Sequence, residues 1–216
     1  FSGVARKAAC LSFCVSLSLS LSPPSQADPG GTLVTPRASH TATLLADGRV
    51  LISGGSDGDL LALAVSEVYN PATNNWTATG HLNQGRRNHQ TVLLADGRAL
   101  SMGGLTSGDV STVTKSAEIY NPATGLWSVT GNMITSRAFF DAVLLADGKV
   151  LVVGGHIAST PFETATCELY DPATGTWSAT GSLLQPRNQH HTTLLADGRV
   201  LGAGGCKQAA GMIGPS

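Results

Sequence analysis

The chain has 216 residues, of which 42% are apolar and only 12% charged, with 13 Lys and Arg against 14 Asp and Glu for a formal net charge of −1. With no basic excess and no basic cluster, it offers no footing for phosphate backbones or anionic membrane surfaces, so nucleic acid is not an expected partner.

At the N-terminus, Arg6 and Lys7 precede an apolar stretch from Ala8 to about Leu21, and Ser25-Gln26-Ala27 puts small residues at the two positions a signal peptidase reads. This is the three-part layout of a secretory signal peptide over residues 1–27, and its apolar run is too short for a comfortable membrane span. The alternation Val15 to Leu21 also fits a strand, but Pro23-Pro24 leaves it no hairpin partner. Leu11-Ser12-Phe13-Cys14 is weakly similar to a lipoprotein processing site, against which the bulky Phe13 argues. A secreted, extracellular or periplasmic protein is expected, with residues 28–36 as a linker. Cleavage after Ala27 removes Arg6 and Lys7, which lowers the 13 basic residues to 11 against 14 acidic ones. It also discards Cys10 and Cys14, so that Cys167 and Cys206 remain, either bridged or free.

From residue 37 the chain repeats. Leu-Leu-Ala-Asp-Gly starts at Leu44, Leu93, Leu144 and Leu194, which gives units of 49, 51 and 50 residues. A fixed period near 50 means stacked supersecondary units that bury their apolar faces on one another. The units run over 37–84, 86–135 and 137–185, with a partial fourth over 187–216. Each opens on an Arg (Arg37, Arg86, Arg137, Arg187), followed three residues later by a ring (His40, His89, Phe140, His190) and a short apolar run that reads as a buried strand. Asp-Gly then cues a hairpin at Gly48, Gly97, Gly148 and Gly198. The second strand, over 50–53, 99–102, 150–153 and 200–203, ends in Gly-Gly: Gly54-Gly55, Gly103-Gly104, Gly154-Gly155, Gly204-Gly205. Paired glycines there imply close backbone approach or an unusual dihedral. A third strand carries Glu67 and Tyr69, Glu118 and Tyr120, or Glu168 and Tyr170, and ends in a turn such as Asn70-Pro71-Ala72-Thr73. A fourth holds Trp76, Trp127 or Trp177. Four short strands per unit describe a β-propeller blade.

These residues resemble the kelch repeat, whose signature joins a strand-terminal Gly-Gly, a Tyr before a tight turn and a Trp on the outermost strand. The resemblance covers residues 37 to about 205 and extends to secreted bacterial kelch proteins and to the central propeller of galactose-oxidase-like enzymes. It implies an all-β propeller of four-stranded antiparallel blades. About three and a half blades are present where kelch rings take six or seven, and the chain starts at Phe1. A fragment, or an open arc that needs further blades to close, is therefore expected. The family serves as adhesive or scaffolding surface, as substrate adaptor and as the body of copper enzymes, so the resemblance leaves function open.

The repeats act as their own control for chemistry. The His series contains Phe140, which packs but cannot ligate, so the rings read as packing and no metal or other cofactor is assigned. Glu67, Glu118 and Glu168 read as partners of the recurring Arg, and the Tyr and Trp ladders as core. No catalytic residue is assigned. All variation in period falls between the second and third strands, where Gly55 to Glu67, Gly104 to Glu118 and Gly155 to Glu168 span 12, 14 and 13 residues. Variable loops on one face are where repeat proteins bind. They carry the candidate binding residues Asp57, Asp59, Leu60, Leu61, Asp109, Lys115, His156 and Phe162. Ser56-Asp57-Gly58-Asp59 offers oxygens to Ca²⁺, though two carboxylates fall short of the ~6–8 oxygens it takes. Asn75-Trp76-Thr77 matches a glycosylation acceptor, but its Trp is a core residue. The expected function is a secreted, non-catalytic module that binds a protein or glycan through these loops. The alternative is part of a galactose-oxidase-like copper radical oxidase, which needs a Tyr crosslinked to a Cys with further Tyr and His; every Tyr here sits at the repeated position before the turn.

Overall fold

The structure, a computed structural model, describes residues 31–58 and 61–206. The segment expected to be a signal peptide, Asp59, Leu60 and the end of the partial unit lie outside the described residues. No helix among the described residues is long and apolar enough to cross a membrane.

The strands fall where the repeat places them. Thr41–Leu44 (β1), Val50–Ser53 (β2), Ser66–Asn70 (β3) and Asn75–Ala78 (β4) form one antiparallel sheet in chain order. Gln90–Leu93 (β5), Ala99–Met102 (β6), Ala117–Asn121 (β7) and Leu126–Val129 (β8) form the second. Asp141–Leu144 (β9), Val150–Val153 (β10), Thr166–Asp171 (β11) and Thr176–Ser182 (β12) form the third, and Asn188–Leu194 (β13) pairs with Val200–Cys206 (β14). The first strands of successive sheets lie against one another, which makes β1, β5, β9 and β13 innermost and the Trp strands outermost. The sheets are blades of an unclosed propeller.

Local chemistry closes the turns. Ala-Asp-Gly is a three-residue loop in which Leu45 N donates to Arg49 O and Gly48 takes φ +84°, open to Gly at little strain. The turns after β3, β7 and β11 are held by their own Asn or Asp, as when Asn70 Oδ1 accepts Ala72 N and Asp171 Oδ1 accepts Ala173 N.

The Arg and Glu of each unit pair inside that unit. Arg37–Glu67, Arg86–Glu118 and Arg137–Glu168 stand 2.6, 2.9 and 2.5 Å apart, with the guanidinium fully buried in each case. The same guanidinium donates to the first Gly carbonyl of the Gly-Gly corner (Gly54, Gly103 or Gly154) and to a carbonyl at the start of the third strand. Glu67, Glu118 and Glu168 each also accept two backbone N–H groups from the segment that leads into the blade. Burial pushes the Glu118 carboxyl up, but the Asn83 donors and Arg86 outweigh it and hold it below its usual range.

Successive blades meet at the glycine corner. Gly55 N, Gly104 N and Gly155 N donate to the backbone oxygens of Arg86, Arg137 and Arg187 in the next blade. The ring at the His position of that blade covers the preceding glycine: a Cβ on Gly54, Gly103 or Gly154 would lie 2.7 Å from His89, 2.6 Å from Phe140 or 2.9 Å from His190. These rings are packing, as their interchange predicts. Farther out, Tyr120 and Tyr170 share hydrogen bonds of 2.8 and 2.7 Å with Thr79 and Thr130 of the preceding blade. Each Tyr also tilts against its own Trp with centroids 5.0–5.2 Å apart. Apolar layers fill the wedges, Leu51 and Val68 against Tyr120 and Trp127, then Leu100 and Ile119 against Val150, Val152 and Tyr170.

At one rim, Ser39, Asn88, Phe139 and Gln189 occupy the same repeat position with φ of +51 to +55°. Their backbones are chained, Asn88 N to Ser39 O, Phe139 N to Asn88 O and Gln189 N to Phe139 O. Such a left-handed non-glycine conformation costs of order 1–3 kcal/mol and persists where its surroundings over-determine it.

Two expectations are refined. The second strand of the last unit does not stop at Ala203 but runs through Gly204 and Gly205 to Cys206. Cys167 and Cys206 are not bridged to each other, one being buried on blade three and the other exposed at the end of β14.

Gly103→Ala combines positive φ with a clash against Phe140 and the Arg137 carbonyl, whereas a Cβ on Gly148 meets nothing within 4 Å. In urea denaturation Gly148→Ala is expected to lose about 1 kcal/mol and Gly103→Ala about 3 kcal/mol or more; equal losses would contradict the packing account.

His89 is buried with Nδ1 unpartnered, and desolvation, with Arg86 and His40 adding to it, lowers its pKa well below 6.5. The unfolded chain therefore takes up a proton that the folded chain refuses. Stability is complete above the ordinary His value and falls as pH drops below it, by at most about 1.4 kcal/mol per pH unit for this group. His89→Phe, which copies the third blade, is expected to flatten the decline in urea midpoint between about pH 6.5 and 5; an unchanged slope would assign the decline elsewhere.

Candidate functional site

The loops that vary in length share a face with the chained rim. Ala38 bridges Ser56, Arg87 bridges Leu105 and Ala138 bridges His156, so the segment entering each inner strand lies beside the segment leaving the Gly-Gly corner. Within each loop these positions break the repeat. Ala38, Arg87, Ala138 and Asn188 are equivalent, as are Ser56, Leu105 and His156, and likewise Ala62, Val113 and Glu163.

The off-repeat residues link the loops. Arg87, nearly buried, donates from Nε to Ser107 O at 2.9 Å and from Nη2 to Gly108 O at 2.7 Å, and so pins the β6–β7 loop. His156 Nε2 donates to Val110 O in that loop at 3.2 Å, which joins the blade-three loop to it. The carbonyl only accepts, so the proton sits on Nε2. Asn188 Nδ2 reaches Glu163 Oε1 at 3.4 Å from the partial fourth blade. Three rings converge here: His156 stacks parallel to Phe162 (centroids 6.0 Å, 9°) and meets Phe139 edge-on (6.2 Å, 82°).

Of the residues singled out in the sequence, His156 and Phe162 are thus brought into contact. Asp57 and Asp109 cap their own loops, their Oδ1 atoms accepting Leu61 N and Ser111 N. The Ser111 backbone donor, with the Ser111 side chain, holds the Asp109 carboxyl below its usual range. Lys115 is exposed at the foot of the β6–β7 loop. Asp59 and Leu60 lie outside the described residues. Arg87, Phe139, Glu163 and Asn188 were not singled out; a column-by-column comparison of the repeats isolates Arg87, Glu163 and Asn188, whereas Phe139 needed its left-handed backbone.

Each described loop also holds one large apolar side chain in solvent: Leu61 at 60% exposure, Val110 at 53% and Phe162 at 42%. The opposite face differs. A groove of about 510 Å³ lies there between the hairpin tips of blades two and three and is lined by Asp96, Arg98, Asp147, Lys149 and Asp171. Those charges are already matched, Arg98 to Asp96 and Lys149 to Asp171, and the tips recur as Asp47–Arg49 and Asp197–Arg199. The groove's paired charges are committed to one another.

No curated protein matches the chain. The Kelch motif model matches residues 142–184, which contain most of β9 and all of β10 to β12. Among solved structures, that of YjhT, a kelch-repeat propeller, is similar with a TM-score of 0.64 at 19% identity over 75% of this chain, a likeness of fold alone. The match covers 57% of the YjhT chain, so the present chain spans little more than half of that propeller. The Kelch motif match falls within one of three like units, and the antiparallel blades share the fold of a kelch-repeat propeller.

Proposed function

We propose that the chain is a non-catalytic binding module whose protein or glycan ligand is met by the face carrying the loops between second and third strands, and that it works outside the cytoplasm after loss of residues 1–27. The fold supports a binding or interaction role in general. The observation that carries the finer reading is the exposure of Leu61, Val110 and Phe162, one per loop, on the same face. Apolar side chains held in solvent by anchored loops mark interaction sites, because a partner removes that area from water at about 25 cal/mol per Å².

The oxidase alternative finds no matching donor set among the described residues. Tyr120 and Tyr170 are buried with their hydroxyls on Thr79 and Thr130, and the Tyr69 hydroxyl donates to Asn74 Oδ1. Cys167 contacts the Ala165 carbonyl, and burial pushes its thiol pKa up. These groups hold blades together and do not fit a Tyr–Cys copper centre.

A photo-crosslinking amino acid placed at Leu61, Val110 or Phe162 is expected to give adducts on the producing cell or in its medium, while the same probe at Asp96 or Asp147 on the opposite face gives none. Equal labelling from both faces would remove the loop face from the reading. The mature chain from a secretion-competent host is expected to begin at Asp28 by mass spectrometry; a cytosolic chain that keeps residues 1–27 would refute export.

A further inference from the structure

We propose that the exposed face of Phe162 is a stacking platform for a neutral pyranose ring, with the amide side chains at the rim beside Phe139 reading its hydroxyl edge. The inference rests on the loop-face reading above and names the ligand class.

Phe162 is held as an open aromatic surface. One ring face lies parallel to His156 while 42% of the side chain remains in solvent. The backbone beneath the ring is pinned, since Phe162 O accepts Ile157 N at 2.7 Å and the next residue, Glu163, is bridged to His156. His156 is itself fixed, by its bond to Val110 O and by the edge of Phe139. The stack therefore pre-exists its ligand, which spares the ordering entropy that a mobile aromatic would lose on binding.

The surrounding polar groups choose the ligand. Two ionised side chains of the loop face are already engaged, Arg87 by the Ser107 and Gly108 carbonyls and Glu163 by Asn188. Neither is left to select a charged ligand. Uncharged groups surround the stack: Asn88 and Gln189, whose side-chain oxygens accept from Arg87 and Cys206, flank Phe139 along the rim through its N–H and C=O and present their amide N–H groups, and Ser159 and Thr160 are exposed in the same loop as Phe162. The electron-rich face of an aromatic ring attracts the slightly positive C–H bonds on one side of a pyranose, while amides and hydroxyls match its hydroxyl edge. A peptide fits less well, since Phe162 is a single aromatic face rather than a groove, and the described loop offers it no free strand edge.

Saturation-transfer NMR on the full chain with methyl glucopyranoside and methyl galactopyranoside tests this. Transfer is expected to the axial C–H protons of at least one sugar, with an about tenfold weaker affinity for Phe162→Ala, retention for Phe162→Tyr, and no effect of Asp96→Asn on the opposite face. Because Phe162 is exposed, Phe162→Ala is expected to keep the wild-type urea midpoint, which separates lost binding from lost folding. No transfer from either pyranoside, or transfer unchanged in Phe162→Ala, overturns the inference. If the photo-probes at Val110 and Phe162 still capture a protein in that case, the loop-face reading survives with a polypeptide ligand; if they too label nothing, both fall.

Discussion

The buried guanidinium at the head of each unit is the point on which blade geometry turns. Arg86 alone holds Glu118, the Gly103 carbonyl and the Ser116 carbonyl within its own blade, while its backbone oxygen takes the Gly55 N–H of the blade before it. One residue thus fixes both the corner of its own sheet and the spacing to the neighbouring one. Desolvation lowers the pKa of Arg86, with the Glu118 hydrogen bond opposing that shift. An arginine bears this because its planar fork matches the carboxylate and two carbonyls at once, where a lysine would satisfy fewer acceptors. Such a pair is not a large net source of stability, since desolvation offsets much of the attraction, but loss of one partner leaves a buried charge, a change worth about 3–5 kcal/mol. Its role is to make only one arrangement of the corner tolerable.

Around that corner the repeated residues divide the work by radius. Near the axis, Gly-Gly admits the backbone and ring of the next blade at distances no Cβ allows. Midway, apolar layers thicken outwards as the blades splay, and at the periphery Tyr reaches back to Thr while Trp127 Nε1 donates to Ser66 Oγ and Trp177 Nε1 to the Gly131 carbonyl. Small residues inside and large aromatics outside follow from the wedge shape of the gap between sheets that radiate from an axis. The repeated Arg, Glu, Gly-Gly, Tyr and Trp are consumed by this packing, whereas off-repeat residues such as Arg87 and His156 join neighbouring loops.

Most of the fold could be read from sequence because the signals are local and recur: a turn residue, a hairpin glycine and an alternating strand need only their neighbours. The Arg–Glu partnership was also legible, since one of each per unit restricts the pairing. The union of His156, Phe162 and Phe139 was half legible; the loops could be located by their changing length, but not the path that folds residue 162 back over residue 156. Arg87 escaped notice because its anchoring targets are backbone carbonyls, which have no sequence signature. Whether Cys167 and Cys206 meet depends on the distance between blades, which composition does not encode.

The chained rim has an implication for how such a surface diversifies. Ser39, Asn88, Phe139 and Gln189 share one backbone conformation although their side chains have nothing in common, so main-chain hydrogen bonds and not side-chain chemistry maintain that position. The left-handed geometry disfavours β-branched residues, and none of the four is one. Side chains other than β-branched ones and proline, which lacks the N–H that the rim hydrogen bonds use, can be exchanged at this rim with the backbone unchanged. The rim is in effect a set of sockets, and new ligand preferences can be grafted there one blade at a time.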